Sequence, residues 1–246
     1  MLQRALVRAA WTIVLVTCLA TAIQVIARQA TSDRLAQRRV EDCLVSPLIR
    51  DRGIVLTNLQ RVRAPAMSEH GMAMALSFAR RISAYRDNER EGVWRRDPVP
   101  VVTLQERTML LVGLGGVGTE VARRAHTFGM TVIAIHNIDR PGPEYITRVG
   151  QSAALLDFVK DADLIVNTLP LTDDTRNMFK AQVFAAMKPD AWFINVGRGA
   201  TVVTDDLVRA LQNKQIAAAG LDVADPESLP AGHPLWAMKK VIITPH

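Results

Sequence analysis

Three polar side chains that suit acid–base chemistry follow apolar runs in the second half of the chain. Arg198 follows "FINVG", Glu227 lies in "LDVADPESLP", and His246 follows "VIITP". An arginine binds a carboxylate through two hydrogen bonds and polarises an adjacent carbonyl. A histidine exchanges protons near neutral pH, and a glutamate bonded to its other ring nitrogen orients it. Side chains beyond the carboxyl ends of neighbouring parallel strands meet in one crevice, so we expect these three to share a site.

A glycine-rich turn precedes these residues in the chain. "GLGGVG" places Gly113, Gly115 and Gly118 at the G-x-G-x-x-G spacing. Gly113 allows a tight turn, Gly115 lets a pyrophosphate approach the backbone, and Gly118 lets the next helix pack closely on the strand. The N-terminus of that helix attracts phosphate. A buried strand precedes the turn and a helical pattern follows it, which is the context that dinucleotide binding requires.

Together, the glycine-rich turn and the three polar side chains indicate hydride transfer between a nicotinamide dinucleotide and a small acid. Arg198 would hold the carboxylate of a 2-oxo or 2-hydroxy acid, and His246 would handle the proton. Taken singly, each residue has another interpretation. Arg198 could be a helix-cap partner, Glu227 a solvated loop charge, and His246 a polar residue where the given sequence stops.

The end of the second predicted strand leaves the choice between NAD and NADP open. An Asp or Glu there would bind the ribose hydroxyls of NAD. The sequence has His136 and Asn137 instead, with Asp139 and Arg140 slightly beyond. This permits NADP, with His136 or Arg140 near the 2′-phosphate, whereas a solvated Arg140 is the alternative. The predicted cofactor is therefore NAD or NADP.

The elements that would position these residues alternate regularly after Pro100. The predicted strands are "TMLLVGLG", "MTVIAIH", "DLIVNTL", "AWFINV", "AAAGLDV" and "KVIIT", and helices are predicted near residues 152–159, 180–187 and 205–211. Continuous apolar strands that alternate with helices predict a parallel sheet covered on both faces. The predicted fold class is α/β, a doubly wound, Rossmann-type sheet, preceded by one long amphipathic helix over residues 68–94.

Composition argues against several other classes of protein. The net charge of +6 is concentrated before residue 40, where six arginines face one aspartate, so no surface for nucleic acid is indicated. Cys18 and Cys43 are too few for a disulfide scaffold, and reduced thiols are expected. The five histidines lack metal-type spacing with cysteine or carboxylates, so we predict no metal site.

An uncharged apolar stretch, "AAWTIVLVTCLATAIQVIA", occupies residues 9–27 with arginines on both sides. As a helix it would nearly cross the roughly 30 Å hydrocarbon core of a membrane. It is interpreted as a signal peptide, as an uncleaved anchor, or as an unrelated stretch joined to an enzyme fragment. Because free nicotinamide dinucleotides are cytoplasmic, the cytoplasm is the expected location, with membrane contact through residues 9–27 as the alternative.

Five motifs resemble the D-isomer-specific 2-hydroxyacid dehydrogenase family, which includes phosphoglycerate dehydrogenases and glyoxylate/hydroxypyruvate reductases. They are "GLGGVGTEVARRAHTFGM", "NTLPLT", "FINVGRGATVV", "LDVADPESLPAGHPLW" and "VIITPH". The resemblance implies that Arg198 binds the substrate carboxylate and carbonyl, and that Glu227 pairs with His246, the acid–base. It also implies that Asp222 lies near the nicotinamide amide. The other residues implied to line the cofactor are Gly116, Val117, Leu169, Pro170, Val196 and Gly197.

The sequence departs from the family pattern in two respects. Ser228 stands where a proline usually follows the catalytic glutamate. Family members also begin with a flavodoxin-like substrate domain of roughly a hundred residues, and they continue past the histidine into a further helix. The predicted organisation is a hydrophobic segment at 1–38, a remnant of the substrate domain at 39–67, and the NAD(P)-binding domain with its leading helix at 68–246. A truncated member, whose cleft lacks one wall, is the expectation.

Three functions are compatible with these features. The first is an NAD(P)-dependent oxidoreductase that acts on a small 2-oxo or 2-hydroxy acid. The second is a non-catalytic NAD(P)-binding module, and the third is a membrane-tethered fragment held by residues 9–27. The family resemblance also implies a homodimer that forms through the helix predicted at residues 68–94.

Overall fold

Seven parallel strands form the centre of the structure, a computed structural model that describes residues 62–96, 98–137 and 142–246. The strands are β1 (Thr108–Val112), β2 (Thr131–Ile135), β3 (Arg148–Gly150), β4 (Leu164–Asn167), β5 (Trp192–Asn195), β6 (Ala218–Leu221) and β7 (Val241–Ile243). Their order across the sheet is β3-β2-β1-β4-β5-β6-β7. This order confirms the predicted doubly wound sheet, and it places a crevice at the carboxyl ends of β1 and β4, where the direction of winding reverses.

The strands form because their side chains are apolar on both faces. Every residue of β4, β5 and β6 is buried, as is every residue of β1 and β2 after the first. Burial of a large aliphatic or aromatic side chain contributes about 1.5–3 kcal/mol to folding. A sheet built from such runs is stable only when helices cover both of its faces.

Helices provide those two covering layers. They are α1 (Ala64–Arg80), α2 (Ile82–Arg90), α3 (Gly116–Thr127), α4 (Leu155–Val159), α5 (Ala181–Ala186) and α6 (Thr204–Gln212). The buried side chains of α1 and α3 share one apolar core with the sheet, and those of α4, α5 and α6 share the other. Short 3₁₀ turns lie at Ser152–Ala154, Gly199–Thr201 and Pro234–Ala237.

The prediction of a single helix over residues 68–94 is wrong. The structure has two helices, because Arg81 adopts a left-handed conformation (φ 58°) and its N–H bonds to carbonyls in the last turn of α1. The apolar stripe that packs α1 on the sheet ends at Ala79, and the next apolar residue, Ile82, is 55% exposed. The only buried residue of α2 is Asn88. A helix without an apolar face gains little from packing, so the long helix does not continue.

The edge strand β3 is not among the predicted strands. It has three residues, none fully buried, and pairs with β2 through Ala134 and Val149. A run this short shows no apolar periodicity from which a strand could be recognised.

All described residues belong to one compact unit, Asn58–His246. The predicted hydrophobic helix at residues 9–27, and the predicted substrate-domain remnant up to residue 61, lie outside the described residues. Within the described part of the chain, no helix combines the length and apolar character needed to cross a membrane.

Candidate active site

The glycine-rich turn joins β1 to α3 through closely packed backbone. Gly113 has φ 104°, in the region that favours glycine. A Cβ on Gly118 would lie 2.0 Å from the carbonyl oxygen of Gly113, so no side chain fits between the turn and the helix. Gly115 is exposed, and a Cβ there would meet no atom within 4 Å. Gly118 therefore serves packing, whereas Gly115 leaves an open approach to the backbone.

The N-terminus of α3 supplies free hydrogen-bond donors at this turn. The N–H of Thr119 bonds to the carbonyl of Gly115 at 2.9 Å. The N–H groups of Gly116, Val117 and Gly118 come before it in the first turn and have no intrahelical acceptor. Because α3 is twelve residues long, its dipole reinforces these donors. The open approach at Gly115 and these donors fit the pyrophosphate of a dinucleotide.

The loops that follow β4 and β5 lie against each other beside this turn. A Cβ on Gly197 would lie 2.7 Å from the carbonyl oxygen of Leu169, and a Cβ on Gly113 would lie 3.2 Å from the Leu169 side chain. Leu169 is half-buried and Pro170 is exposed. Val196 is 1% exposed and packs towards α1, so only its backbone could meet a cofactor. The structure thus brings together the cofactor-lining residues that the resemblance implies in these two loops.

A buried network of polar side chains connects the loops that follow β4 and β5. Asn167 donates to Asn195 Oδ1 at 2.9 Å and to Thr201 Oγ1 at 2.7 Å. Thr201 and Asn195 both donate to the Arg198 carbonyl, at 2.6 and 3.2 Å. Asn195 Oδ1 also accepts from the N–H of Gly197 at 3.0 Å. Each of the three side chains is at most 1% exposed, so this satisfied network fixes the backbone at Arg198.

The Arg198 loop touches the loop that follows β6. A Cβ on Gly199 would lie 1.9 Å from the carbonyl oxygen of Ala224, which places the two backbones in contact. The Arg198 guanidinium donates to the Gly197 carbonyl at 2.8 Å. In the described part of the chain, no hydrogen bond joins it to Glu227 or to His246. Arg198 is thus brought to the segment that carries Glu227 but is not bonded to the pair.

Glu227 and His246 form a direct pair. Glu227 Oε1 lies 3.0 Å from His246 Nδ1. Their side chains are 57% and 45% exposed, and an exposed ion pair contributes little to folding stability. The bond occupies Nδ1 and leaves Nε2 as the ring nitrogen that can exchange a proton with a ligand.

Asp222 belongs to a second polar cluster, which sequence reasoning missed. Thr244 Oγ1 lies 2.6 Å from Asp222 Oδ1, and His70 Nε2 lies 2.8 Å from Thr244 Oγ1 and 3.2 Å from Asp222 Oδ1. His70 is on α1, whereas Asp222 and Thr244 follow β6 and β7. No local pattern indicates this contact, because 174 positions separate His70 from Thr244. The other missed residues are Asn167, Asn195 and Thr201; the first two are polar residues that end apolar strands, which is a usable signal.

His136 lies just beyond β2, where a Rossmann-type domain selects its dinucleotide. Its side chain is half-buried, and its backbone N–H donates a hydrogen bond to the Gly150 carbonyl at 2.8 Å. Asn137 beside it is exposed. Asp139 and Arg140, which follow slightly later in the sequence, lie outside the described residues. Neither described position carries the acidic side chain that would favour NAD.

No group of three or more His, Cys, Asp or Glu side chains that could hold a metal ion occurs among the described residues.

The reversed winding at β1 and β4, the glycine-rich turn and the free N-terminus of α3 define a dinucleotide-binding domain of the doubly wound class. Residues 72–246 match the model of the D-isomer specific 2-hydroxyacid dehydrogenase, NAD binding domain, and the chain belongs to this family.

Similar proteins include glyoxylate/hydroxypyruvate reductase B of Salmonella typhi, which is 37% identical over 199 residues that cover 79% of this chain and 61% of the relative. Among solved structures, phosphoglycerate dehydrogenase from Lactobacillus plantarum is 36% identical, with a TM-score of 0.71 over 82% of this chain and 66% of that one. An NADPH-dependent glyoxylate/hydroxypyruvate reductase from Sinorhizobium meliloti is 30% identical, with a TM-score of 0.69 over 77% of this chain and 74% of that one.

A D-lactate dehydrogenase with NAD⁺ from Lactobacillus jensenii is 32% identical, with a TM-score of 0.71 over 81% of this chain and 63% of that one. The chain spans about three fifths of the length of the curated relatives it matches.

Proposed function

We propose that this protein is an NAD(P)-dependent oxidoreductase that interconverts a small 2-oxo acid and the corresponding 2-hydroxy acid. The observation that carries the proposal is the 3.0 Å pair between Glu227 and His246, which lies on the loops beyond β6 and β7 of a dinucleotide-binding sheet. Glyoxylate and hydroxypyruvate are the first substrates to test, because related reductases of 30–37% identity are named for them.

In this proposal, the backbone at Gly115 and the free N–H groups at the N-terminus of α3 would hold the pyrophosphate of the dinucleotide. The backbones of Leu169, Pro170, Val196 and Gly197 line its nicotinamide half. Asp222 accepts a hydrogen bond from the carboxamide. A bound nicotinamide supplies or accepts the hydride that is exchanged with carbon 2 of the acid.

The residues of the chain perform the remaining steps. Arg198 holds the substrate carboxylate and polarises the carbonyl beside it. His246 donates a proton from Nε2 to the carbonyl oxygen during reduction and takes it back during oxidation. Glu227 accepts from Nδ1–H, which orients the ring and leaves Nε2 to face the substrate.

The site is proposed to accept NADP as well as NAD, because neither described residue just after β2, His136 or Asn137, is an acid that would repel a 2′-phosphate. His136, which directly follows β2, is the side chain proposed to lie near that phosphate. A cytoplasmic location follows from the same proposal, since that is where free nicotinamide dinucleotides are held.

Turnover with a purified chain tests the enzymatic function. NADPH or NADH is mixed with glyoxylate or hydroxypyruvate, and loss of the reduced nicotinamide absorbance is followed. We expect oxidation that needs both reactants and that falls sharply in Arg198→Gln, since the neutral side chain cannot pair with the carboxylate. Saturable dinucleotide binding without turnover on any 2-oxo acid would instead support a non-catalytic NAD(P)-binding module.

We also propose a homodimer formed through residues 68–94, the arrangement that the family resemblance implies. Ile82, Val93 and Trp94 are large apolar side chains left exposed in this segment, Trp94 at 105%. Exposed apolar groups close together in sequence favour an interface between copies of a chain. Light scattering of the wild type should give twice the monomer mass, and Trp94→Ser should shift the equilibrium towards monomer. A wild type that is monomeric at every concentration would contradict this arrangement.

A further inference from the structure

A series of hydrogen-bonded side chains connects α1 to the loop after β6, where Asp222 lies. This series does not include Glu227 or His246. It consists of His70, Thr244 and Asp222. The Asp222 side chain is 14% exposed, so its carboxylate depends on protein partners for much of its solvation. The three residues of this series come from places that meet only in the folded structure: α1, the residue after β7 and the loop after β6.

The donors in this series can be assigned from chemistry. An ionised carboxylate only accepts, so the Thr244 hydroxyl donates to Asp222 Oδ1 at 2.6 Å. With its proton committed, Thr244 Oγ1 accepts from His70, whose Nε2 lies 2.8 Å away. His70 Nε2 must therefore carry a hydrogen, and its 3.2 Å approach to Asp222 Oδ1 is favourable in that state. The Thr244 hydroxyl and the His70 Nε2 group thus both lie against the same carboxylate oxygen, Asp222 Oδ1.

The second oxygen of Asp222 stays available. No hydrogen bond joins Asp222 Oδ2 to another residue in the described part of the chain. The carboxylate is thus held through Oδ1 while Oδ2 can accept from a ligand. A carboxamide N–H is the donor that such an oxygen would receive in the proposed function.

The helix that carries His70 packs closely on the sheet, whereas the His70 side chain itself is 39% exposed. α1 buries Met72, Met74 and Ala75 on the sheet, and a Cβ on Gly220 of β6 would lie 2.7 Å from Met74 Sδ. This packing fixes the helix next to the strand that leads to Asp222. A hydrogen-bond donor on a helix packed in this way can help to position the carboxylate.

We propose that His70 is a positioning residue for the nicotinamide end of the bound dinucleotide: through Thr244 it holds Asp222 so that one carboxylate oxygen faces the carboxamide. The inference rests on the proposed function, in which Asp222 meets the nicotinamide. It assigns to α1 a role in cofactor binding in addition to its packing.

The test compares a whole dinucleotide with a ligand that lacks the nicotinamide. Titration calorimetry on the full chain measures the dissociation constants of NADH and ADP-ribose, or of NADPH and 2′-phospho-ADP-ribose where NADPH binds more tightly. His70→Phe keeps a ring of similar size without its N–H. We expect it to weaken dinucleotide binding about tenfold, the scale of one lost hydrogen bond in a series that ends on a charge, and to leave the ADP-ribose ligand unchanged.

Conservative variants separate positioning from packing. Thr244→Val removes the hydroxyl at constant shape and should reproduce the loss, whereas Thr244→Ser and His70→Gln retain donors and should recover most of the affinity. The double variant His70→Phe/Thr244→Val should be no weaker than either single variant, because both break the same series. His126→Phe, on the exposed surface of α3, is the matched control and should bind both ligands as the wild type does.

The outcomes are distinct. Equal weakening of both ligands, unchanged dinucleotide binding in His70→Phe and Thr244→Val, or additive effects in the double variant would each overturn the role of His70. A wild type that binds neither ligand would instead refute the proposed function. Nitrogen NMR of the wild type gives an independent readout, since the assignment requires His70 to be protonated at Nε2; a ring protonated only at Nδ1 would overturn it.

Discussion

Glu227 Oε1 lies 3.0 Å from His246 Nδ1, although 19 positions separate the two residues and each follows a different strand. Both side chains are about half exposed, so the pair has little value for stability. In the proposed function, this pair orients His246 so that its Nε2 exchanges a proton with the substrate.

Removal of the imidazole should abolish most of the catalysis without harm to cofactor binding. His246→Asn lacks the ring nitrogen that would exchange a proton with the substrate, so we expect kcat for 2-oxo acid reduction to fall by about 10²–10⁴-fold. The dissociation constant of the dinucleotide should stay within twofold of the wild type, because the variant leaves the glycine-rich turn intact. Steady-state kinetics and titration calorimetry provide the two numbers.

His126→Asn is the matched control, since His126 is exposed on α3. It should retain wild-type kcat. A His246→Asn variant with wild-type kcat would show that the proton comes from another group.

The two glycines of the turn should respond differently to the same substitution. A Cβ on Gly118 would lie 2.0 Å from a backbone oxygen, so Gly118→Ala must displace α3 and should lower the melting temperature. A Cβ on Gly115 meets no protein atom, and its φ of −85° suits alanine. Gly115→Ala should therefore fold as stably as the wild type while its methyl group obstructs the pyrophosphate and weakens dinucleotide binding at least tenfold. Normal binding by a stable Gly115→Ala variant would argue against the proposed placement of the pyrophosphate.

The buried network beneath Arg198 should affect both stability and substrate binding. Thr201→Val leaves the Asn167 amide and the Arg198 carbonyl each short of a partner, which should cost about 1–3 kcal/mol of unfolding free energy. The Arg198 loop should also become less well held, so that KM for the 2-oxo acid rises. Denaturant unfolding and steady-state kinetics measure the two effects.

Thr127→Val gives the comparison, because the Thr127 hydroxyl also donates to a backbone carbonyl but is exposed. It should change the free energy of unfolding by less than about 0.5 kcal/mol. If Thr127→Val and Thr201→Val lower the free energy of unfolding equally, burial of the network does not account for its contribution to stability.

Cofactor preference should respond to a charge at the end of β2. Asn137→Asp introduces a carboxylate where the ribose hydroxyls of NAD are bound in this class of domain. We expect NADPH affinity to fall at least tenfold relative to NADH, owing to repulsion of the 2′-phosphate. Asn213→Asp makes the same change of charge at the exposed end of α6 and should leave the ratio unchanged. Equal effects of the two variants would mean that residue 137 does not face the ribose.

The parallel sheet and the glycine-rich turn could be predicted because each depends on residues close together in the sequence. The parallel sheet follows from apolar strands separated by helices, and the turn at Gly113 follows from glycine spacing. The break at Arg81 could not be predicted in this way, since a glycine usually marks a left-handed helix end and an arginine stands there instead. β3 is too short to show a period.

The polar contacts divide in the same manner. Asn167 and Asn195 are visible in the sequence as polar ends of apolar strands, and their network could have been suspected. His70 and Thr244 could not have been joined, because their contact exists only after α1 packs against β6 and β7 follows β6 in the sheet.

Transfer of an isotopic label tests the central claim most directly. The protein is mixed with glyoxylate and a reduced nicotinamide dinucleotide that carries deuterium at both C4 positions, and the product is analysed by mass spectrometry and NMR. We predict glycolate with one deuterium on carbon 2, formed by the wild type, and formed much more slowly by His246→Asn and, at a dinucleotide concentration that just saturates the wild type, by Gly115→Ala. The account would be contradicted by a wild type that binds the dinucleotide but forms no labelled 2-hydroxy acid from glyoxylate, hydroxypyruvate or any other 2-oxo acid.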